Sequence, residues 1–140
     1  HGDHMHAMFG FVDEYNLNTI LGIGSPNYGK SNIGFKHTII EPYLEGKVKW
    51  AKGDLLTPQG AIGVDWKKEG NSLLVKVDVP VNSTATLVIP NHYQKVSESG
   101  KIVWGNEQFK SVPGIIDILK KQGKITIELA SGAYQFMMDI

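Results

Sequence analysis

The chain has 140 residues, 41% hydrophobic and 20% charged, the make-up of one globular domain or of a small domain with an appended element. Acidic and basic residues balance at 14 each with no basic block, so no nucleic-acid partner is expected, and no apolar run has membrane-spanning length, so no membrane partner is expected either. Cysteine is absent, which removes a disulfide framework, a thiolate metal site and a cysteine nucleophile.

The chain opens at His1-Gly2-Asp3-His4-Met5-His6 and enters a helical apolar pattern at once. Met5, Met8, Phe9, Val12 and Tyr15 follow i, i+3, i+4, i+7 steps, and Ala7, Phe11, Ile20 and Leu21 add apolar surface elsewhere. A helix over 3–21 that is apolar nearly all round belongs among other helices. No other segment reads as a helix long enough to bury it, so the expectation is that an upstream domain once covered it. His1, His4 and His6 match no metal-site spacing, and neither a metal nor a cofactor is expected.

A stretch of breakers follows, with Gly22, Gly24, Pro26, Gly29 and Gly34, and reads as a linker over 24–35. From residue 36 onward the period changes to two. Val48 and Trp50 share a face, as do Ile62, Val64 and Trp66. Leu73, Val75, Val77 and Val79 form another set, then Ala85, Leu87 and Ile89, then Ile125, Ile127 and Leu129, and last Tyr134, Phe136 and Met138. Short alternating strands punctuated by Gly, Pro, Asn and Ser turns predict an antiparallel β-sandwich over 36–140, Greek-key or jelly-roll-like. Residues 91–122 are less regular, and 115–121 reads equally as a strand or a helical turn.

Two stretches carry a resemblance. One is Met5-His6-Ala7-Met8-Phe9-Gly10-Phe11-Val12-Asp13-Glu14-Tyr15, ending in Ile20-Leu21-Gly22-Ile23. The other runs from Gly34-Phe35-Lys36-His37-Thr38-Ile39-Ile40-Glu41-Pro42 through Val48-Lys49-Trp50-Ala51-Lys52-Gly53 and Thr57-Pro58-Gln59-Gly60-Ala61-Ile62-Gly63-Val64-Asp65-Trp66 to Val79-Pro80-Val81-Asn82-Ser83-Thr84-Ala85-Thr86-Leu87-Val88-Ile89-Pro90, with Ala130-Ser131-Gly132-Ala133-Tyr134-Gln135-Phe136 closing the chain. Together, in this order, they resemble the C-terminal part of family 78 glycoside hydrolases, the bacterial α-L-rhamnosidases. Met5 stands where that family commonly has Asn, and Tyr15 where Trp is common.

The resemblance implies a mainly β chain: residues 1–23 as the last helix of an (α/α)6 catalytic barrel, 24–35 as the linker and 36–140 as the C-terminal sandwich. It also implies a parent enzyme that hydrolyses terminal α-L-rhamnosides with inversion, one carboxylic acid protonating the leaving oxygen and a second carboxylate activating water. Both carboxylates would lie upstream, so no catalytic residue is assigned here and the chain alone is expected to be inactive. His6 is the residue carried over to the parent's sugar pocket, where an imidazole can hydrogen-bond a hydroxyl. Asp13 and Glu14 point about 100° apart on a helix and cannot flank one bond.

The expected partners are the upstream barrel and, for the parent, a rhamnose-containing glycan. Without its barrel, the N-terminal helix could instead pair with another copy, giving a homodimer. The alternative is a stand-alone carbohydrate-binding sandwich. Alternation assigns Trp50 and Trp66 to the core, whereas Trp104 and Tyr43 sit in less regular surroundings and stay open to sugar stacking.

Overall fold

The computed structural model describes residues 5–9, 23–24 and 36–140. The strands are β1 (Met5–Phe9), β2 (Ile23–Gly24), β3 (Lys36–Ile40), β4 (Trp50–Thr57), β5 (Gly60–Glu69), β6 (Ser72–Val79) and β7 (Ser83–Pro90). They continue with β8 (Lys95–Glu98), β9 (Lys101–Gly105), β10 (Gln108–Phe109), β11 (Ile115–Lys121), β12 (Lys124–Leu129) and β13 (Gly132–Asp139). Among the described residues there is no helix.

The strands form two sheets. The larger runs β1-β4-β5-β6-β13-β8-β9-β10 and the smaller β11-β12-β7-β3-β2. Every pairing is antiparallel except β3 on β7, which is parallel with Lys36 beside Ser83 and Ile40 beside Leu87. Side chains alternate between core and solvent along β5, β6, β12 and β13. Ile62, Val64 and Trp66 of β5, Leu73, Val75, Val77 and Val79 of β6, and Phe136 and Met138 of β13 line one wall of the core. Ala85, Leu87 and Ile89 of β7 face them with Ile125, Ile127 and Leu129 of β12. All belong to a single buried cluster, as a two-sheet sandwich requires.

Turn chemistry pins these registers. Thr57 Oγ1 donates to the Gly60 carbonyl at 2.7 Å, and the Gln59 amide donates to Thr57 Oγ1 at 3.2 Å, closing the β4–β5 hairpin. Tyr134 is buried, and its hydroxyl donates to the Ala130 carbonyl at 2.7 Å and approaches that of Gly114 at 3.1 Å. It thereby ties the start of β13 to the loop before β11. Burial, and then the Glu98 charge, raise the phenol's pKa, and burial alone raises that of Tyr93. Lys68 Nζ donates to the Leu44 carbonyl at 2.6 Å and closes the 44–46 segment onto β5; burial, and then the Lys49 charge, lower its pKa.

Two expectations need restating. Met5–Phe9, read as helix from its spacing, runs as a strand along β4 with Met5 opposite Leu55 and Phe9 opposite Ala51. The remainder of the expected helix, 10–22, and the linker over 25–35 lie outside the described residues. Trp50 does not join the core. Its register partner is Lys67, whereas the neighbouring Ala51 pairs with Trp66, and Ala51 and Trp66 are both fully buried. The segment before β4 is not paired strand, so the alternation that links Val48 to Trp50 breaks there and Trp50 falls on the outward face, half-buried.

Candidate functional site

A cavity of about 720 Å³ lies at one end of the sandwich. It lies where the 91–95 segment, the β9–β10 hairpin, β11 and the end of β13 converge. Its floor is aromatic: Trp104 is 5% exposed and Tyr93 is 7% exposed, so both rings are packed and only their rims reach the opening. Its walls carry four side-chain amides, Asn91, Gln94, Asn106 and Gln108.

The β9–β10 hairpin shapes the mouth. Gly105 pairs with Gln108, leaving a two-residue turn in which Asn106 has φ 51° and Glu107 φ 59°. Two successive positive φ values are what a tight hairpin of right-handed twist requires, and asparagine with glycine fills them at least cost. Glutamate at the second position costs about 1–2 kcal/mol of backbone energy. Its carboxylate meets the Lys120 ammonium of β11 at 2.8 Å, joining the larger sheet to the smaller across the opening. The other carboxylate lining the cavity, Asp139, accepts a hydrogen bond from Ser72 Oγ. Each is thus engaged by a neighbour.

A second polar cluster lies on the outer face of the smaller sheet. His37 Nδ1 is 2.7 Å from Thr84 Oγ1 and Nε2 is 2.9 Å from Thr86 Oγ1. Thr86 Oγ1 donates its one proton to Glu128 Oε1 at 2.6 Å, so toward His37 it can only accept. Nε2 therefore carries hydrogen, and in the neutral ring Nδ1 accepts from the Thr84 hydroxyl. The three strands β3, β7 and β12 are laced together by side chains as well as by backbone. Nothing in a single sequence pairs residues 42 to 49 positions apart, and the Thr84–Thr86 alternation reads there as an ordinary solvated face.

The three residues named from the sequence do not meet. His6 lies in β1 opposite Asp54 of β4, and the sugar-contact role expected of its imidazole falls outside what the structure describes. Tyr43 is 37% exposed in the segment before β4, its ring lying over Gly46, where an added Cβ would sit 2.8 Å from Tyr43 Cε2. It takes no part in the cavity that Trp104 lines. Among the described residues no cluster of His, Cys, Asp and Glu could hold a metal ion.

The two sheets and the single core sealed between them define a β-sandwich domain. Residues 26–103 match the family described as bacterial alpha-L-rhamnosidase C-terminal domain, and the chain belongs to that family. It is 32% identical over 135 residues to an alpha-L-rhamnosidase of Alteromonas sp. (strain LOR), covering 96% of this chain and 12% of the relative. It is 30% identical over 131 residues to an alpha-L-rhamnosidase of Formosa agariphila, covering 94% of this chain and 13% of the relative. The structure of alpha-L-rhamnosidase from Dictyoglumus thermophilum superposes with a TM-score of 0.71 at 26% identity, covering 88% of this chain and 13% of that one. The chain thus spans about an eighth of the length of the relatives it matches.

Proposed function

We propose that this chain is the non-catalytic C-terminal part of an α-L-rhamnosidase. The carrying observation is the asymmetry of coverage: nearly all of this chain matches a small fraction of full-length alpha-L-rhamnosidases. In this reading the parent hydrolyses terminal α-L-rhamnosides by inversion, and the acid and base carboxylates lie in an upstream barrel. They would stand roughly 6.5–9.5 Å apart, leaving room for the attacking water. The sandwich packs against that barrel, and His6 reaches the rhamnose ring as a hydrogen-bonding group rather than as acid or base.

The test has two arms. The 140-residue chain, incubated with p-nitrophenyl α-L-rhamnoside, releases no phenol, whereas the full-length parent does. Proton NMR of the parent's reaction shows the β-anomer of rhamnose first. Phenol release that copurifies with the chain alone overturns the non-catalytic assignment, and the α-anomer appearing first overturns inversion.

A further inference from the structure

We propose that the cavity beside Trp104 is a saccharide-binding site, built for a hydroxyl-rich chain of two or more sugar units. This goes beyond the supporting role assigned to the domain, because it gives the sandwich a ligand of its own, distant in sequence from His6. Three observations carry it.

The first is size and lining. A volume of about 720 Å³ lies within the range of roughly 300–1,000 Å³ usual for ligand sites, which commonly combine apolar walls with a few convergent polar groups. Here the apolar part is the rims of Trp104 and Tyr93 with Ile102, which is 45% exposed.

The second is the chemistry of the polar groups. Among the described residues the side-chain amides of Asn91, Gln94, Asn106 and Gln108 make no hydrogen bond to the protein. An amide presents two donors and a carbonyl acceptor, and therefore matches a hydroxyl, which both donates and accepts. Lys95, Lys110 and Lys120 line the opening as well, and an apolar ligand would leave the amides without partners.

The third is the turn. Glutamate occupies a left-handed position where glycine would be easier, and its carboxylate holds Lys120 at 2.8 Å, so the hairpin carrying Asn106 and Gln108 is fastened at the rim. Glu107 is thus held in a costly left-handed conformation beside the concave polar site. The Glu107–Lys120 pair acts as a positioning device for the two amides.

Nitrogen–proton correlation spectra of the 140-residue chain test the site with L-rhamnose, then with the disaccharide rutinose, and with polyethylene glycol as a polarity control. Rutinose is expected to bind more tightly than rhamnose and to move the Asn106 and Gln108 side-chain amide resonances together with the Trp104 indole signal. Asn106→Gly with Gln108→Ala keeps the turn, since glycine suits the positive φ, while removing two of the four amides. The double variant is expected to retain its melting temperature and to bind rutinose about tenfold more weakly, equivalent to about 1.4 kcal/mol. Glu107→Gly is expected to fold at least as stably and to bind more weakly, whereas Glu107→Gln, which can still reach Lys120, recovers part of the affinity.

The proposal is overturned if neither sugar shifts these resonances at millimolar concentration, if polyethylene glycol shifts them equally, or if a fully folded double variant binds as well as the parent sequence. These outcomes are independent of rhamnoside hydrolysis, so the proposal and the rhamnosidase reading can fail separately.

Discussion

Replacing Thr86 by valine keeps the shape of a side chain that is 6% exposed and removes its hydroxyl. That hydroxyl accepts from His37 at 2.9 Å and donates to Glu128 at 2.6 Å, so one substitution breaks two bonds on two neighbouring strands. A bond to a charged group contributes about 1.5–3 kcal/mol and a neutral one about 0.5–1.5 kcal/mol. His37 and Glu128 are only half-buried and regain some water, which brings the expected loss to about 2–3 kcal/mol. With an unfolding entropy of roughly 2.1 cal/mol/K per residue, a chain of this length falls in melting temperature by about 3 °C per kcal/mol, hence by about 7–10 °C. Thr84→Val breaks one bond only and is expected to cost about 1 kcal/mol, or about 3 °C. Calorimetry of both variants, with urea unfolding to confirm an unchanged m-value, measures the difference. Equal losses for Thr86→Val and Thr84→Val would refute the claim that the threonine–glutamate bond adds to the lacing. So would an unchanged cost of Thr86→Val when Glu128 is already alanine, because coupled partners are non-additive.

Gly114→Ala and Gly123→Ala form a matched pair. Both sites have positive φ, but a Cβ at Gly114 would lie 2.7 Å from the Tyr134 hydroxyl while one at Gly123 meets nothing within 4 Å. Gly123→Ala is expected to cost about 1–2 kcal/mol from backbone strain, and Gly114→Ala measurably more, read from denaturant midpoints. Trp66→Ala empties the core and is expected to cost about 3–5 kcal/mol, whereas Trp50→Ala on the outward face costs clearly less. Alkaline pH should erode stability through Tyr93 and Tyr134. Their folded pKa values are raised, so their contribution is full below pH 10, the ordinary tyrosine value, and is lost as pH rises through the folded values. Absorbance at tyrosinate wavelengths should show two phenols ionising above that pH, and Tyr134→Phe should remove one of them. Lys68, with its lowered pKa, acts in the opposite sense: its penalty fades as pH climbs through its folded value toward 10.5.

Strict period-two runs make β5, β6, β12 and the end of β13 readable, because one face of each is sealed in the core and the other is not. The irregular stretch after residue 90 has a local cause. The pairing of β8 with β9 slips between Val96 and Ser97, and the consecutive residues Val103 and Trp104 are both buried, which breaks the alternation. A similar slip between Ile115 and Asp117 buries Ile115 and Ile118, three apart, and that spacing mimics a helical turn. The irregular surroundings of Trp104 are visible in the sequence, but the amides around it are not. They are brought to one end of the sandwich by strands that no local pattern orders. Glu107 carried no signal either, since its interest lies in a backbone angle and a partner on the opposite sheet.

The parallel seating of β3 on β7 also governs the order in which the fold assembles. Ser83 reaches Lys36 only after the intervening chain has left for the other sheet, completed the β4–β5–β6 meander and returned. Hairpins with short turns close early, while contacts across such a separation wait for the entropy of a long loop to be overcome. β3 is therefore expected to dock onto β7 after the short-turn hairpins of the larger sheet have closed.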